Sequence, residues 1–298
     1  MLSEETRNSS ERDVLSDLFA GNHPRGDVFF SGTLCGSSHH SRQEGQPARQ
    51  QGMLHVVQSG ALRVRLNDTE HAVLDRPGVI LFGAPITHDV ETPATGSQVV
   101  CANLLFPATG PTPARLGLPD YVVLPFDDIA GLEPITGQLF REAFDDHPGK
   151  RTAVNLLIDL LLLMVLRHCQ ANDLVRPGIL AAMRDPRIAR VVGQLHQTPG
   201  DNWSVERQAE IAGMSRASFA ARFRELLGTS PGDFLQTIRL DRALALLRDG
   251  KRLQVVAGQV GYRSSTALAR AIQQRHNVSP RELHQDFHSD AKALSSVI

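Results

Sequence analysis

Ala209-Glu210-Ile211-Ala212-Gly213-Met214-Ser215-Arg216-Ala217-Ser218-Phe219, closing at Gly228-Thr229-Ser230-Pro231, decides the fold of the C-terminal third, because it occurs twice. The echo runs from Ala257 through Val260-Gly261-Tyr262-Arg263-Ser264-Ser265-Thr266-Ala267-Leu268 to Asn277-Val278-Ser279-Pro280. The glycines lie 48 residues apart (213 and 261) and the Ser-Pro pairs 49 (230 and 279), so one copy carries an extra residue. Each copy reads as two short helices about a glycine turn. Ser204 is placed to cap a helix holding Val205, Ala209 and Ile211; Gly213 supplies a turn where positive φ costs little, and Ser215 opens a second helix. Phe219, Phe223 and Leu226 share one face of that helix, with Arg216, Arg222 and Arg224 toward solvent. Gly228 fits a C′ position, and Ser230-Pro231 an N-cap followed by proline at N1. The long helix so opened carries Phe234, Leu235, Ile238, Leu244 and Leu247 and stops at Asp249-Gly250. The spacing predicts two three-helix units sharing that helix, a tandem helix-turn-helix pattern over about 205–226 and 254–275.

On these residues the chain resembles the AraC/XylS family of bacterial transcription regulators. The resemblance rests on Trp203-Ser204-Val205-Glu206, Ala212-Gly213-Met214-Ser215-Arg216, Phe219, Arg222-Phe223, Gly228, Ser230-Pro231, Arg239, Ala243, Leu246-Leu247, Val260-Gly261-Tyr262, Arg270 and Val278-Ser279-Pro280. It implies a reader of double-stranded promoter DNA that sets two recognition helices in successive major grooves, acts as an activator and works with RNA polymerase. The repeat's competing reading is a helical protein-interaction module with a solvated basic face.

Charge favours DNA. Residues 203–288 hold 13 Lys+Arg against 8 Asp+Glu, a net of +5, and the rest of the chain holds 18 against 24, a net of −6, so the total of −1 hides a basic end on an acidic body. Residues on the outward, N-terminal side of a recognition helix reach base edges, and flanking arginines hold phosphates. The candidates are Arg216, Ala217, Ser218, Ala221, Arg222 and Arg224 in the first copy, and Arg263, Ser265, Thr266, Ala269 and Arg270 in the second. Arg270 is the candidate for bidentate contact to guanine. Family members often carry arginine where this chain has Ala221, which offers only a methyl group, so the first helix leans on Arg216 and DNA shape. In the second copy Leu268, Ile272 and His276 stand where aromatic residues are common, and Asn277 where glycine is. His276 is read as a helix-end residue.

At 298 residues two domains are expected. Cys35, Cys101 and Cys169 have no CxxC spacing and an odd count, which argues against a disulfide framework or a zinc finger and for buried thiols in a reducing compartment. No basic-then-apolar leader opens the chain, and residues 1–13 read as a polar, frayed end. The apolar run Val154–Leu166 is interrupted by Asn155 and Asp159 and reads as too short to span a bilayer. A cytoplasmic protein without membrane contact is the expectation.

The first hundred residues alternate with period two. Leu54 and Val56 lead through Ser59-Gly60 to Leu62, Val64 and Leu66 with Arg63 and Arg65 between; Asn67-Asp68 turns back, and Pro77-Gly78 precedes the apolar strand Val79–Phe82. Short strands between Gly, Pro and Asn predict an antiparallel sandwich or barrel. His55-Val56-Val57-Gln58-Ser59-Gly60-Ala61-Leu62, with Pro77-Gly78 and His88, resembles the cupin domain at the N-terminus of many AraC-type regulators. That resemblance raises a metalloenzyme as an alternative, since many cupins hold a metal with two His, a Glu and a further His. Carried onto this chain, the Glu position falls on Met53 and the paired His near Gln46 to Arg49, where there are none, leaving His88 alone. Metal sites of this kind generally use three protein ligands, so no metal, cofactor or catalytic residue is expected. His39, His40 and Glu44 cluster in sequence but fall in a polar stretch read as a loop, and adjacent strand histidines would point to opposite faces. The barrel instead suggests a small-molecule effector site with His55 and His88 as candidates. His55 shares parity with Arg63 and Arg65, which places it equally well at the rim or in solvent.

Ile135–Phe144 and Ala153–His168 read as connector helices, the second apolar nearly all round and hence buried against the barrel or against a second copy in a homodimer. Asp173–Asp185, with Pro177-Gly178, reads as a hinge. The expected organisation is α+β: a cupin-like antiparallel domain over 1–125, a helical connector over 126–184, an all-α DNA-binding domain over 185–288 and a disordered tail over 289–298.

Overall fold

A computed structural model describes residues 14–19, 23–40, 51–66, 69–84, 86–107 and 110–276. The chain divides into two compact units, one of residues 21–184, the other of Asp185 onward together with the N-terminal helix. Residues 1–13, Glu44, the Asn67-Asp68 turn, and Asn277 with Ser279-Pro280 and the tail lie outside the described residues, as does the side chain of His276.

The first unit is a nearly closed antiparallel barrel of seven strands: β1 Arg25–His40, β2 Gln51–Ser59, β3 Leu62–Leu66, β4 Thr69–Leu74, β5 Gly78–Phe82, β6 His88–Leu105 and β7 Tyr121–Pro125. They run in the order β4-β3-β6-β2-β5-β7, with β1 also paired to β6, and the path's two ends, β4 and β7, lie in contact. The long β6 pairs with β3 near its start and with β2 near its end. Met53, Val57, Leu62, Val64, Leu74, Ile80, Phe82, Val90 and Val99 form the core. Leu62 and Val64 point inward as the alternation requires, Arg63 outward, and Arg65 pairs with Glu91 at 2.9 Å.

Two strand expectations change. His39 and His40 belong to β1, not to a loop, with His40 opposite His88 in the β1–β6 register. The ladder to β6 supplies the backbone partners that the local sequence Gly36-Ser37-Ser38 does not announce. His55, read as a rim or solvent residue, is fully buried. Its parity with Arg63 does not carry across the hairpin, because β2 shifts register between Val57 and Ser59 and turns at Gly60 with φ +85°. β2 is paired along both edges, with β5 and β6, and residues 51–57 are all buried, so both of its faces are covered as well.

A short helix α2 (Pro113–Leu116) follows, then α3 (Glu133–Phe144), α4 (Lys150–Ala171) and α5 (Ile179–Ala182). By length and composition α4 is long and apolar enough to cross a membrane, which corrects the shorter span read from sequence. Here it packs along β1, where the Asp159 and Asn155 side chains accept from the Gly26 and Val28 N–H groups at 2.6 and 3.1 Å. A Cβ at Gly26 would lie 2.2 Å from Ile158 Cγ2, so only glycine admits the helix this close. The expected hinge is likewise pinned up to residue 184. Arg176 donates its N–H to Gly117 O, α5 is buried, and Gly178 lies against the Gly117 backbone.

The second unit holds α6 (Pro186–Gln197), α7 (Val205–Ala212), α8 (Arg216–Leu227), α9 (Pro231–Arg248), α10 (Leu253–Gln259) and α11 (Ser265–His276), with α1 (Val14–Phe19) against α6. The capping residues act as their types require. Ser204, Ser215 and Ser230 accept from the N–H of Arg207, Ser218 and Asp233, and Gly213 and Gly228 close α7 and α8 in the left-handed conformation. Phe219 and Phe223 are fully buried beside Phe234, and Leu268 and Ile272 join Leu240, Ala243, Val256 and Val260 in the second core cluster. Leucine and isoleucine therefore fill the space that aromatic residues would take.

Candidate nucleic-acid interface and barrel interior

Each recognition helix is fixed by its buried face and leaves the opposite side free. On α8, burial of Phe219, Phe223, Leu226 and Leu227 turns Arg216, Ala217, Ser218, Ala221 and Arg224 outward. On α11, burial of Leu268, Ala271 and Ile272 exposes Thr266 and Arg270, with Ser265 and Ala269 half-buried and Arg263 exposed just before the helix. The Ser264 hydroxyl accepts from the Ala267 N–H and orders the start of α11. Arg224, Arg263 and Arg270 make no ion pair with a described residue, whereas Arg216 reaches Glu206 at 2.9 Å.

Arg222 is differently placed. Its guanidinium donates to Asp185 at 3.0 Å and to Glu225 at 2.9 Å. Asp185 is only 5% exposed, caps α6 through the Arg187 N–H, and also binds the Arg187 side chain. Hydrogen bonding from Arg187, reinforced by Arg222, holds this carboxyl well below the usual carboxylate range. A DNA contact by Arg222 would require it to leave both carboxylates. Arg239, one of the residues carrying the family resemblance, also holds the fold together, donating to Pro199 O and Asp201 O at 2.7 and 2.8 Å.

The barrel interior gathers residues that the sequence scatters. His55 Nε2 lies 2.8 Å from His88 Nε2, and His55 Nδ1 lies 3.1 Å from Cys101 Sγ. His88 Nδ1 lies 2.7 Å from Ile86 O, which can only accept, so that nitrogen carries the proton. In neutral rings the chain of bonds then runs in one direction: Cys101 S–H donates to His55 Nδ1, His55 Nε2–H to His88 Nε2, and His88 Nδ1–H to Ile86 O. Phe82 stacks on His88 with centroids 4.2 Å apart, and His40 lies 5.0 Å from His55 and 5.5 Å from His88, centroid to centroid. Burial pushes the His40 pKa down to about 4, lowers His55 well below its ordinary value, lowers His88, and raises the Cys101 thiol to about 12. The four groups are thus neutral at neutral pH. Of this cluster, sequence reasoning singled out His55 and His88 as site residues; His40 and Cys101 enter because β1 and β6 bring them alongside. His39 points outward to Asp89 at 2.7 Å, as strand alternation requires.

A family model described as a cupin matches residues 13–171, and one described as a helix-turn-helix domain matches residues 208–286. The chain belongs to the cupin family over more than half its length, and its second match is to a helix-turn-helix domain, the combination in which it is similar to AraC-type transcriptional regulators. An uncharacterized HTH-type transcriptional regulator of Haemophilus influenzae is 29% identical over 65% of this chain and 65% of its own length. The HTH-type transcriptional regulator MtrA of Neisseria gonorrhoeae is 31% identical over 57% of each chain, and the RCS-specific HTH-type transcriptional activator RclR of Escherichia coli 31% identical over 49% of this chain and 52% of its own. The chain therefore spans less than two thirds of these relatives' lengths. Among solved structures, the DNA-binding domain of AdpA in complex with a target DNA is 32% identical, covering 34% of this chain and 93% of that one with a TM-score of 0.33.

Proposed function

We propose that this chain is an effector-responsive transcription activator in which residues 185–288 read promoter DNA, the barrel of residues up to 125 takes the effector, and residues 126–184 connect them. The observation that carries the reading is the exposed, N-terminal side of both α8 and α11 in a unit whose net charge is opposite to that of the rest. Arg270 and Thr266 read bases in one major groove, Arg216 and Ala217 with Ser218 and Ala221 lie in the next, and Arg224 and Arg263 hold phosphates. Ser265 and Ala269 line the second contact.

Activation through RNA polymerase follows from the family resemblance, and the Escherichia coli relative is itself described as an activator. A homodimer through α4 is supported by Leu156 and Leu160, large apolar side chains that are 62% and 40% exposed one helical turn apart. His55 and His88 are the barrel's polar groups for the effector, and the protein works without catalytic residues in the cytoplasm. The mechanism is a population shift: occupancy of the barrel unit changes which DNA half-sites the second unit engages.

Genome-wide binding-site selection with the purified chain at near-physiological salt, with and without cell extract as the effector source, tests this. A recurring site with two short half-sites about one helical turn apart is expected. Binding without any motif, or no binding to duplex under either condition, overturns it.

A further inference from the structure

The outward arginines of the second unit differ in one respect: a carboxylate stands beside Arg216. Arg224, Arg263 and Arg270 make no ion pair with a described residue, whereas Arg216 Nη1 lies 2.9 Å from Glu206 Oε1, although the two side chains are 70% and 54% exposed. Arg216 opens α8, so its guanidinium stands where a recognition helix meets its duplex, and a carboxylate there repels phosphate. We propose that Glu206 is a positioning residue that reserves Arg216 for the base edge of a guanine and withholds it from the phosphates. The inference rests on the reading of α8 as a recognition helix.

Glu206 is held in place independently of Arg216. It is the second residue of α7, and its carboxylate accepts from its own backbone N–H and from the Ser204 hydroxyl, which in turn accepts from the Arg207 N–H at 3.1 Å. These bonds, with the Arg216 charge, keep the carboxyl below its ordinary value and ionised at neutral pH. The neighbouring cation does not compete for it: Arg207 lies over the Trp203 ring at 4.4 Å, donates to Asn202 O at 3.0 Å and faces Asp201. A guanidinium carries five donors in a rigid fork. The bond through Nη1 leaves the Nε–Nη2 edge complete, two parallel N–H groups that match guanine O6 and N7.

The other outward residues of α8 do not duplicate that edge. Ala217, Ser218 and Ala221 have no guanidinium, Arg222 is bound by Asp185 and Glu225, and Arg224 stands about 12 Å further along the helix. Reading in this groove therefore depends on where Arg216 points. An arginine free to swing takes the nearest phosphate and strengthens binding to every sequence alike. A pinned one gives up that shared affinity and widens the gap between right and wrong base pairs, which is what specificity measures.

The test uses the full chain and competition among single-base variants of a selected site. Arg216→Ala identifies the base pair read, where discrimination of roughly 5- to 150-fold should be lost. At that base pair Glu206→Gln should lower discrimination by about two- to fivefold, the worth of an exposed ion pair, while binding to unrelated duplex tightens and its log–log salt slope steepens by about 0.9. Glu206→Asp keeps the charge but draws it back by one methylene, and should also lose discrimination, which a merely repulsive carboxylate would not. In the Arg216→Ala background Glu206→Gln should change discrimination no further. The urea midpoint read by Trp203 should stay at the wild-type value throughout. Base preferences that survive Arg216→Ala at every position overturn the reading of α8 and this inference with it. A preference that Arg216→Ala removes and Glu206→Gln leaves intact, or equal tightening on all duplexes, overturns the inference alone. So does a lost preference accompanied by a lower urea midpoint, which would make the pair a brace between α7 and α8.

Discussion

Asp185→Asn should loosen the second unit while leaving its side-chain volume and its cap acceptor in place. The buried carboxylate accepts from Arg187 Nε, Nη2 and the backbone N–H, and from Arg222 Nε, all within 3.0–3.2 Å. Charge-assisted bonds are each worth about 1.5–3 kcal/mol, but the Arg187 side chain is half exposed and Arg222 a third, so solvent screening discounts the sum to about 2 kcal/mol. The chain has one tryptophan, Trp203, whose Nε1 donates to Thr198 O and whose ring carries the Arg207 guanidinium at 4.4 Å, so its fluorescence reports this unit alone. With a urea slope of about 2 kcal/mol per molar, the midpoint should fall by about 1 M at pH 7. The difference carries a pH signature. The folded carboxyl titrates below its ordinary value, so its stabilisation is complete above about pH 4, the unfolded pKa, and is lost as pH falls toward the folded pKa. Each unit below about 3.9 removes about 1.4 kcal/mol, so variant and wild type should converge between pH 4 and about pH 2.5. A midpoint at pH 7 within 0.2 M (about 0.4 kcal/mol) of wild type, or a gap undiminished at pH 3, would refute the reasoning.

Arg222→Ala should share this destabilisation, whereas Arg224→Ala should keep the wild-type midpoint and weaken binding to all duplexes alike, with a shallower salt dependence; the same urea series and a salt titration separate them. Arg270→Ala should cost about 1–3 kcal/mol of discrimination at one base pair, read by competition among single-base variants of a selected site, and equal losses on every sequence would remove it from the base contacts. Both turn glycines sit at positive φ, +64° at Gly213 and +81° at Gly261, but only the second is crowded. A Cβ at Gly213 meets nothing, so Gly213→Ala should cost about 1 kcal/mol of backbone strain, whereas at Gly261 it would stand 2.7 Å from Gly200 O, and Gly261→Ala should cost clearly more in the same fluorescence assay. Leu156→Glu with Leu160→Glu should convert a dimer to monomer in analytical ultracentrifugation without lowering the thermal midpoint, since both side chains face solvent within one chain.

The helical half was legible because its determinants are local. Ser204, Gly213, Ser215, Gly228, Ser230 and Pro231 act within one turn of themselves, and the 3.6-residue spacing of Phe219, Phe223 and Leu226 names the buried face without reference to the rest of the chain. The barrel interior was not, because its determinants are registers. His40 meets His88, and His55 meets Cys101, only through pairing across β1–β6 and β2–β6, and a single shift at Ser59 undoes the parity argument for His55. Arg222 shows the limit in the other direction: its place on the exposed side of α8 was readable, but the carboxylate that claims it lies 37 residues earlier.

The side chains of Asn155 and Asp159 have a role beyond holding a helix to a strand. Among the described residues β1 pairs only with β6, so its far edge would present open backbone donors, the kind of edge that recruits a strand from another molecule. α4 lies over that edge and satisfies two of those donors with its own amide and carboxylate oxygens. Losing them uncovers a template for intermolecular pairing, and the first symptom of Asn155→Ala with Asp159→Ala would be turbidity on concentration rather than a lower melting temperature.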